Sequence, residues 1–237
     1  MTDWQITTVI AQTRHTESAR SLRLALSEPF CGLPGQHLDI RLTAEDGYST
    51  ARTYSLSDVR EDRTVEVTVE RAQDGEVSPY LVDVVEIGDP LEVTRPHGGF
   101  FTWDETDPRP VQLIAGGSGL APLMAMIRTR EVVAPMVPFD LVYSLRSPDR
   151  MLFADDVRQI VERHRLPVHL AYTRKAPDDD SRPVGRLGPT EFAEITIDAD
   201  RDPTVFICGP NRFVEHAAAA MIAAGHRPDR VRTERFG

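Results

Sequence analysis

The first hundred residues carry short runs in which apolar and polar side chains alternate. Gln5–Gln12, Ser21–Ser27, His37–Leu42, Arg52–Ser57 and Thr64–Arg71 each keep a period near two. That period sends successive side chains to opposite faces and predicts strands with one face in a core. Pro90–Thr94 predicts one more short strand, and Leu33-Pro-Gly-Gln36 a turn. Many short strands joined by Gly, Pro and Asp turns predict a small antiparallel β-barrel, a closure that removes exposed sheet edges. One segment departs from the pattern. From Asp74 to Val85 the apolar spacing is helical, and Ser78 before Pro79 predicts a helix start with Ser78 as N-cap. A helix start there would suit a pyrophosphate, and it equally suits a plain capped helix plugging the barrel.

The pattern changes after Asp104–Pro110, a polar, proline-bearing stretch that reads as a linker. Largely apolar runs predict buried strands at Val111–Ala115 and Phe139–Leu145, and further strands at Val168–Tyr172 and Thr204–Cys208, as in a sheet covered on both faces. Between them lie helical patterns: an amphipathic helix through Arg130, then Ala154–His164, Pro189–Ala193 and an alanine-rich stretch through Ala224. Val231–Arg235 predicts a last strand. Strands alternating with helices predict a doubly wound parallel α/β sheet, whose ligands bind beyond the carboxyl ends of the strands. The expected organisation is two domains, a barrel over residues 1–104 and an α/β domain over residues 110–237.

Composition narrows the function classes. A formal charge of -10 argues against non-specific nucleic-acid or anionic-membrane binding. Lys175 is the only lysine among many arginines. The two cysteines, Cys31 and Cys208, have neither Cys-x-x-Cys spacing nor a histidine cluster, so no metal site is expected and a disulfide framework is not supported. No apolar stretch approaches the ~20 residues that span a bilayer, and the N-terminus has no signal-like pattern, so the expected location is the cytoplasm.

Four motifs carry candidate chemistry. In Arg52-Thr-Tyr-Ser-Leu-Ser57, alternation presents a cation and an aromatic on one face and small hydroxyls on the other. That suits a large anionic aromatic ligand, or an ordinary hairpin strand. Gly116-Gly-Ser-Gly119 follows a strand and opens a helix, so its backbone could approach a pyrophosphate closely. It is neither Gly-x-Gly-x-x-Gly nor a nucleotide-hydrolase loop. Cys208-Gly-Pro210 ends a later strand facing the same crevice, where the cysteine could be functional or a small apolar filler. Thr233-Glu-Arg-Phe-Gly237 places an aromatic and a carboxylate at the end of the chain, where tails are usually polar and frayed.

Together these pieces, with the Gly75-Glu-Val-Ser78 helix start, resemble the ferredoxin–NADP reductase superfamily across nearly the whole chain. The resemblance implies an FAD-holding barrel followed by an NAD(P)H-holding α/β domain. It implies that Arg52 pairs with the flavin's phosphates, that Thr53 is a further cofactor-binding residue, that Tyr54 packs on the isoalloxazine, and that Ser55 bonds near N5. Glu70 and Arg71 would run along the ring or ribityl chain, and Gly75, Val77 and Ser78 would hold the pyrophosphate. Gly116, Gly117, Ser118 and Gly119 would cradle the nicotinamide cofactor. Cys208, with Gly209 and Pro210, would sit by the carboxamide, with Ser55 and Glu234 completing the catalytic set. Phe236 would cover the flavin until nicotinamide displaces it.

The resemblance further implies that residues just after the Val168–Tyr172 strand read the 2′-phosphate. Thr173, Arg174 and Lys175 stand there and Arg186 follows, favouring NADPH over NADH. Arg146 and Arg150 are candidates for the adenosine side. FAD is expected, with FMN the lesser alternative. The electron acceptor is expected to be a separate ferredoxin, Rieske or haem component. A flavin reductase acting on free flavin and a non-catalytic flavin-binding subunit are the competing functions. One geometric condition attaches to the strand. Tyr54 and Ser55 point to opposite faces of a regular strand, so it must twist or end near Ser55 for both to touch one flavin.

Overall fold

A computed structural model describes residues 4–30, 32–163 and 165–236. Cys31, the expected helix end at His164 and the final Gly237 lie outside the described residues. The chain divides into two compact units, Met1–Asp104 with Met124–Thr129, and Glu105–Leu123 with Arg130–Gly237.

In the first unit, β1 (Trp4–Thr16), β2 (Ala19–Ala25), β3 (His37–Thr43), β4 (Ser49–Glu61), β5 (Thr64–Glu70) and β6 (Pro90–Thr94) form a closed barrel in the order β1-β2-β5-β4-β3-β6. Every pairing is antiparallel. The alternating apolar positions point inward: Leu22, Leu38, Ile40, Leu56, Val67 and Val93 are fully buried. Burying each such side chain stabilises by about 1.5–3 kcal/mol.

β4 is the irregular member. From Ser49 to Ser55 it pairs with β3, Ser55 opposite His37. Its pairing with β5 runs only from Leu56 (opposite Val67) to Glu61 (opposite Thr64), with register shifts on the way. The strand therefore does not end near Ser55. It changes partners there, and Leu56 N donates to the Gln36 carbonyl at 2.9 Å. The 49–55 half of β4 and the 68–70 end of β5 are not laddered to each other.

α1 (Val77–Asp83) follows β5 and inserts Val77, Leu81 and Val82 into the barrel core. Here the structure corrects the sequence reading. The N-cap is Glu76, without a side-chain cap, and Ser78 lies inside the first turn. The Ser78 hydroxyl accepts instead from Ala72 N at 3.0 Å, so it closes the loop before the helix. At the other end, buried Arg20 donates to the Leu81 carbonyl at 2.6 Å and the Val85 carbonyl at 2.7 Å, and Arg14 donates to the Val82 carbonyl at 3.1 Å. Two cations thus satisfy carbonyls that a helix end leaves open.

The remaining elements are β7 (Val111–Gly116), α2 (Leu120–Val133, whose Met124–Thr129 stretch clusters with the first unit), β8 (Phe139–Leu145), α3 (Ala154–Glu162), β9 (Val168–Tyr172), α4 (Pro189–Ile195), β10 (Thr204–Pro210), α5 (Asn211–Ala223) and β11 (Val231–Phe236). The sheet order is β11-β10-β7-β8-β9, all parallel. Strand order reverses between β7 and β10, the switch point at which such sheets take ligands. α2 is not the amphipathic helix expected. Leu120, Leu123, Met124, Ala125, Met126 and Ile127 are all essentially buried, because apolar residues at these consecutive positions point in every direction around the helix.

Candidate functional site

On the barrel, one face of β4 presents a row. Tyr54 packs on the core beside Leu38, its cross-strand partner, and is only partly buried. Burial pushes its phenol up to about 12, against the pull of Arg52, so it is a neutral donor. Arg52 stands two residues back and is exposed. It donates to Thr50 Oγ1 at 3.1 Å and the Ala51 carbonyl at 2.7 Å, and forms no ion pair among the described residues. A guanidinium without a carboxylate partner suits a phosphate. Tyr48 lies in the turn before β4, where its hydroxyl donates to Glu76 Oε2 at 3.0 Å.

The other face of β4 carries Thr53 and Ser55. Thr53 Oγ1 donates to Asp39 Oδ1 at 2.5 Å, and Asp39 Oδ2 lies 3.3 Å from His97 Nε2. Glu70 is exposed at the end of β5. Arg71 pairs with Asp83 at 3.1 Å. A Cβ on Gly75 would come within 3.0 Å of Ser78 Oγ and 3.1 Å of Ala72 Cβ, so this glycine serves a tight loop. Val77 and Ser78 are buried. Toward a ligand, this segment has backbone to offer rather than side chains.

On the parallel sheet, the glycine loop and the Cys208 strand end meet backbone to backbone. Gly116 ends β7, and Gly117–Gly119 make a 3-10 turn into α2. A Cβ on Gly119 would fall 2.1 Å from the Cys208 carbonyl oxygen, and one on Gly209 would fall 3.1 Å from Gly116 Cα. Gly117 has φ +57°, and a Cβ there would meet open space. Ser118 is half-buried beside it. The loop is pressed against β10 on one side and open on the other, a form that admits a pyrophosphate.

Cys208 is buried, and its thiol is pushed well up by burial and then by the Glu234 charge. It is therefore a thiol at neutral pH. Glu234 sits opposite Cys208 in the β10–β11 register, and Phe236 sits opposite the exposed Pro210. Phe236 belongs to an ordered strand and is 38% exposed. At the ends of β8 and β9 the backbones are tied together: Thr173 N donates to the Leu145 carbonyl at 2.8 Å, and Arg174 N to the Arg146 carbonyl at 3.0 Å. The Thr173 hydroxyl also donates to Leu145, at 3.2 Å. Gly185 N returns to the Tyr172 carbonyl at 3.0 Å, which brings Arg186 to the same rim. Arg146, Arg174 and Arg186 are exposed and form no ion pair among the described residues. Arg150 stays beside Asp149 at 3.5 Å.

Among the described residues, no group of three or more His, Cys, Asp or Glu could hold a metal ion, and no helix is long and apolar enough to cross a membrane.

A closed antiparallel barrel and a parallel sheet with a glycine-lined switch point define a flavin- and nicotinamide-binding oxidoreductase. Residues 7–102 match the family model described as an oxidoreductase FAD-binding domain, and residues 113–219 that of an oxidoreductase NAD-binding domain. The flavohemoprotein of Chromobacterium violaceum is 33% identical over 222 residues, covering 86% of this chain and 52% of that protein. The toluate 1,2-dioxygenase electron transfer component of Pseudomonas putida is 25% identical over 227 residues, covering 96% of this chain and 65% of that protein. The crystal structure of the FAD/NAD-binding domain of nitric oxide dioxygenase from Vibrio cholerae superposes with a TM-score of 0.88 at 26% identity, covering 98% of each chain. The chain spans about half the length of the flavohemoproteins it matches. It belongs to the ferredoxin–NADP reductase superfamily, with an oxidoreductase FAD-binding domain followed by an oxidoreductase NAD-binding domain. The residues present fit both cofactors: a neutral aromatic and an unpaired arginine on β4, and an open glycine turn at the switch point.

Proposed function

We propose that this protein takes reducing equivalents from NADPH in preference to NADH and passes electrons to a separate ferredoxin, Rieske or haem acceptor. Bound FAD supplies the conversion of a hydride into single-electron transfers, and the protein supplies position and electrostatics. In this reading Tyr54 packs on the ring and Ser55 bonds near its N5. Arg52 offsets the phosphate charge, with Thr53 alongside. The backbone of Glu70–Arg71 and of Gly75, Val77 and Ser78 borders the remainder of the flavin nucleotide.

Gly116–Gly119 accept the second pyrophosphate at close backbone range. Cys208, held as a thiol, donates at the carboxamide side with Gly209 and Pro210 framing it, and the Glu234 charge stands one strand over. Phe236, by the family resemblance, would cover the flavin until nicotinamide displaces it. Arg174 and Arg186, with Thr173 and Arg146, form the cationic rim that favours a 2′-phosphate.

The observation that carries this reading is the switch-point crevice, where Gly119 and Cys208 touch through backbone and Glu234 lies in register with Cys208. The acceptor class is supported by the relative named as an oxygenase electron transfer component. Steady-state kinetics with NADPH and NADH against ferredoxin, Rieske and haem acceptors test it. Higher kcat/KM with NADPH and turnover of at least one such acceptor are expected. Equal use of both nicotinamides would remove the rim's role. Turnover of free flavin alone, with flavin lost on gel filtration, would favour a flavin reductase.

A further inference from the structure

The structure assigns Arg128 as a positioning residue for the flavin seat: it fixes the point at which β4 leaves β5, and so sets Ser55 at the edge of the opening between the two strands. This rests on the reading that Arg52–Ser55 seats the flavin. Arg128 lies within Met124–Thr129, the stretch of α2 that clusters with the barrel unit.

Three observations carry it. First, the departure is built on one extra residue. Leu56 pairs with Val67 and Asp58 with Glu66, so Ser57 is left over between two successive partners, the count of a β-bulge. Ser57 is fully buried, and a buried backbone group outside the ladder needs a partner from elsewhere. Arg128 Nη1 supplies one, donating to the Ser57 carbonyl at 3.1 Å.

Second, the same nitrogen donates to Glu66 Oε1 at 2.7 Å, and that oxygen accepts from the Ser57 hydroxyl at 2.8 Å. The three groups close a ring around the bulge. The Arg128 and Glu66 side chains are each 14% exposed, so the pair is held largely out of water, where a charge-assisted bond is stronger than at the surface.

Third, the ring is tied to both lips of the opening. Beyond the Leu56–Val67 pair the strands are not laddered, so Ser55 on β4 and Thr68 on β5 are the first residues on either side. Thr68 Oγ1 donates to Ser57 Oγ at 2.9 Å, and Ser21 Oγ lies 2.7 Å from Thr68 Oγ1. Each hydroxyl has one proton to give. That of Ser57 goes to the carboxylate, nearer than the Glu66 carbonyl at 3.3 Å. That of Thr68 goes to Ser57, so the Ser21 hydroxyl donates to Thr68. The Glu66 carboxylate thus sets the direction of the whole chain, and Arg128 holds that carboxylate. A shift of Glu66 is felt on β4 two residues from Ser55 and on β5 at Thr68.

The test is a fluorescence titration of flavin-free protein with FAD, together with the visible circular dichroism of the bound flavin, for the native chain, Arg128→Met, Arg128→Lys and Thr68→Val. Arg128→Met keeps most of the side-chain bulk and removes both bonds. It should lose about 2- to 30-fold in FAD affinity, the range of effects carried through packed networks without ligand contact, and the dichroism of the flavin that still binds should shift. Arg128→Lys should restore most of both, because a single nitrogen makes the two native bonds. Native affinity and dichroism in Arg128→Met, with only its melting temperature lowered, would show a purely structural role and overturn the assignment, as would no recovery in Arg128→Lys. If Arg128→Met does not fold, Thr68→Val decides by the same two readouts, since it breaks the tie between the strands and leaves Arg128 in place. A loss toward the lower end of that range with shifted dichroism is expected, and native values would overturn the assignment. A native chain that binds no flavin would instead overturn the flavin reading of β4 itself.

Discussion

Gly119→Ala is the substitution whose outcome the backbone geometry fixes most tightly. Gly119 has φ -60° and ψ -8°, ordinary helical values, and it caps α2. Its dihedrals alone would admit alanine, although an N-cap favours glycine over alanine. The added Cβ, however, would lie 2.1 Å from the Cys208 carbonyl oxygen, 2.4 Å from its carbon and 2.8 Å from Gly209 N. All three are backbone atoms of β10, which is laddered to β7 and β11, so no side chain can swing away. Overpacking of this kind costs about 1–3 kcal/mol, and with only backbone to yield, a net loss near the upper end is expected. That corresponds to a fall of roughly 6–12 °C in the midpoint of the transition that reports the α/β unit. Gly117→Ala is the control. Its φ of +57° makes alanine strained by about 1–2 kcal/mol, but the Cβ meets open space. Differential scanning calorimetry with NADP+ titrations on both variants separates the effects. Gly119→Ala should lose more stability. Gly117→Ala should lose more NADP+ affinity relative to its stability change, because its methyl stands where the pyrophosphate approaches. A Gly119→Ala protein as stable as the native chain would refute the close approach of the loop to β10.

Three further outcomes follow from named groups. Asp140 is pushed up to about 6 by burial, and its Oδ1 has no hydrogen-bond partner; His169 at 3.7 Å is itself pushed down by burial and does not offset the charge. A folded pKa above the unfolded one means that stability is full below about pH 4 and is lost as pH rises through 6. Asp140→Asn should therefore match the native chain near pH 4 and exceed it at pH 7–8 by on the order of 1–2 kcal/mol, once solvent screening of an incompletely buried group is allowed for; urea titrations across that range check this. Arg174→Ala should raise the KM for NADPH far more than for NADH, and an equal change would take Arg174 out of 2′-phosphate recognition. Phe236→Ala should narrow the kcat/KM ratio between NADPH and NADH, since the ring opposite Pro210 is 38% exposed and able to cover a neighbouring face; unchanged kinetics with both would remove it from the site.

Much of this architecture is legible in the sequence because single-face and double-face burial leave different periods. Thr64–Glu70 alternates and forms a barrel strand, whereas Val111–Gly116 is apolar apart from Gln112 and forms a strand buried throughout. The readings that failed were those in which a local signal met a tertiary demand. Ser78 before Pro79 has the form of an N-cap, but the loop from Ala72 needed an acceptor and the hydroxyl went to it. α2 carries apolar residues on every side, which the expectation of one apolar face missed. Neither the change of partner at Ser55 nor the contact of Gly119 with Cys208 leaves a trace in periodicity, since both are set by residues distant in the chain.

The most direct test of the central claim is an anaerobic titration of the purified protein with NADPH, followed by its absorbance. The account predicts a protein that carries FAD in a ratio near one per chain, whose flavin absorbance bleaches with about one equivalent of NADPH and returns when a one-electron acceptor is added. A colourless protein that cannot be reconstituted with FAD, or a bound flavin that stays oxidised under excess NADPH and NADH, would contradict it.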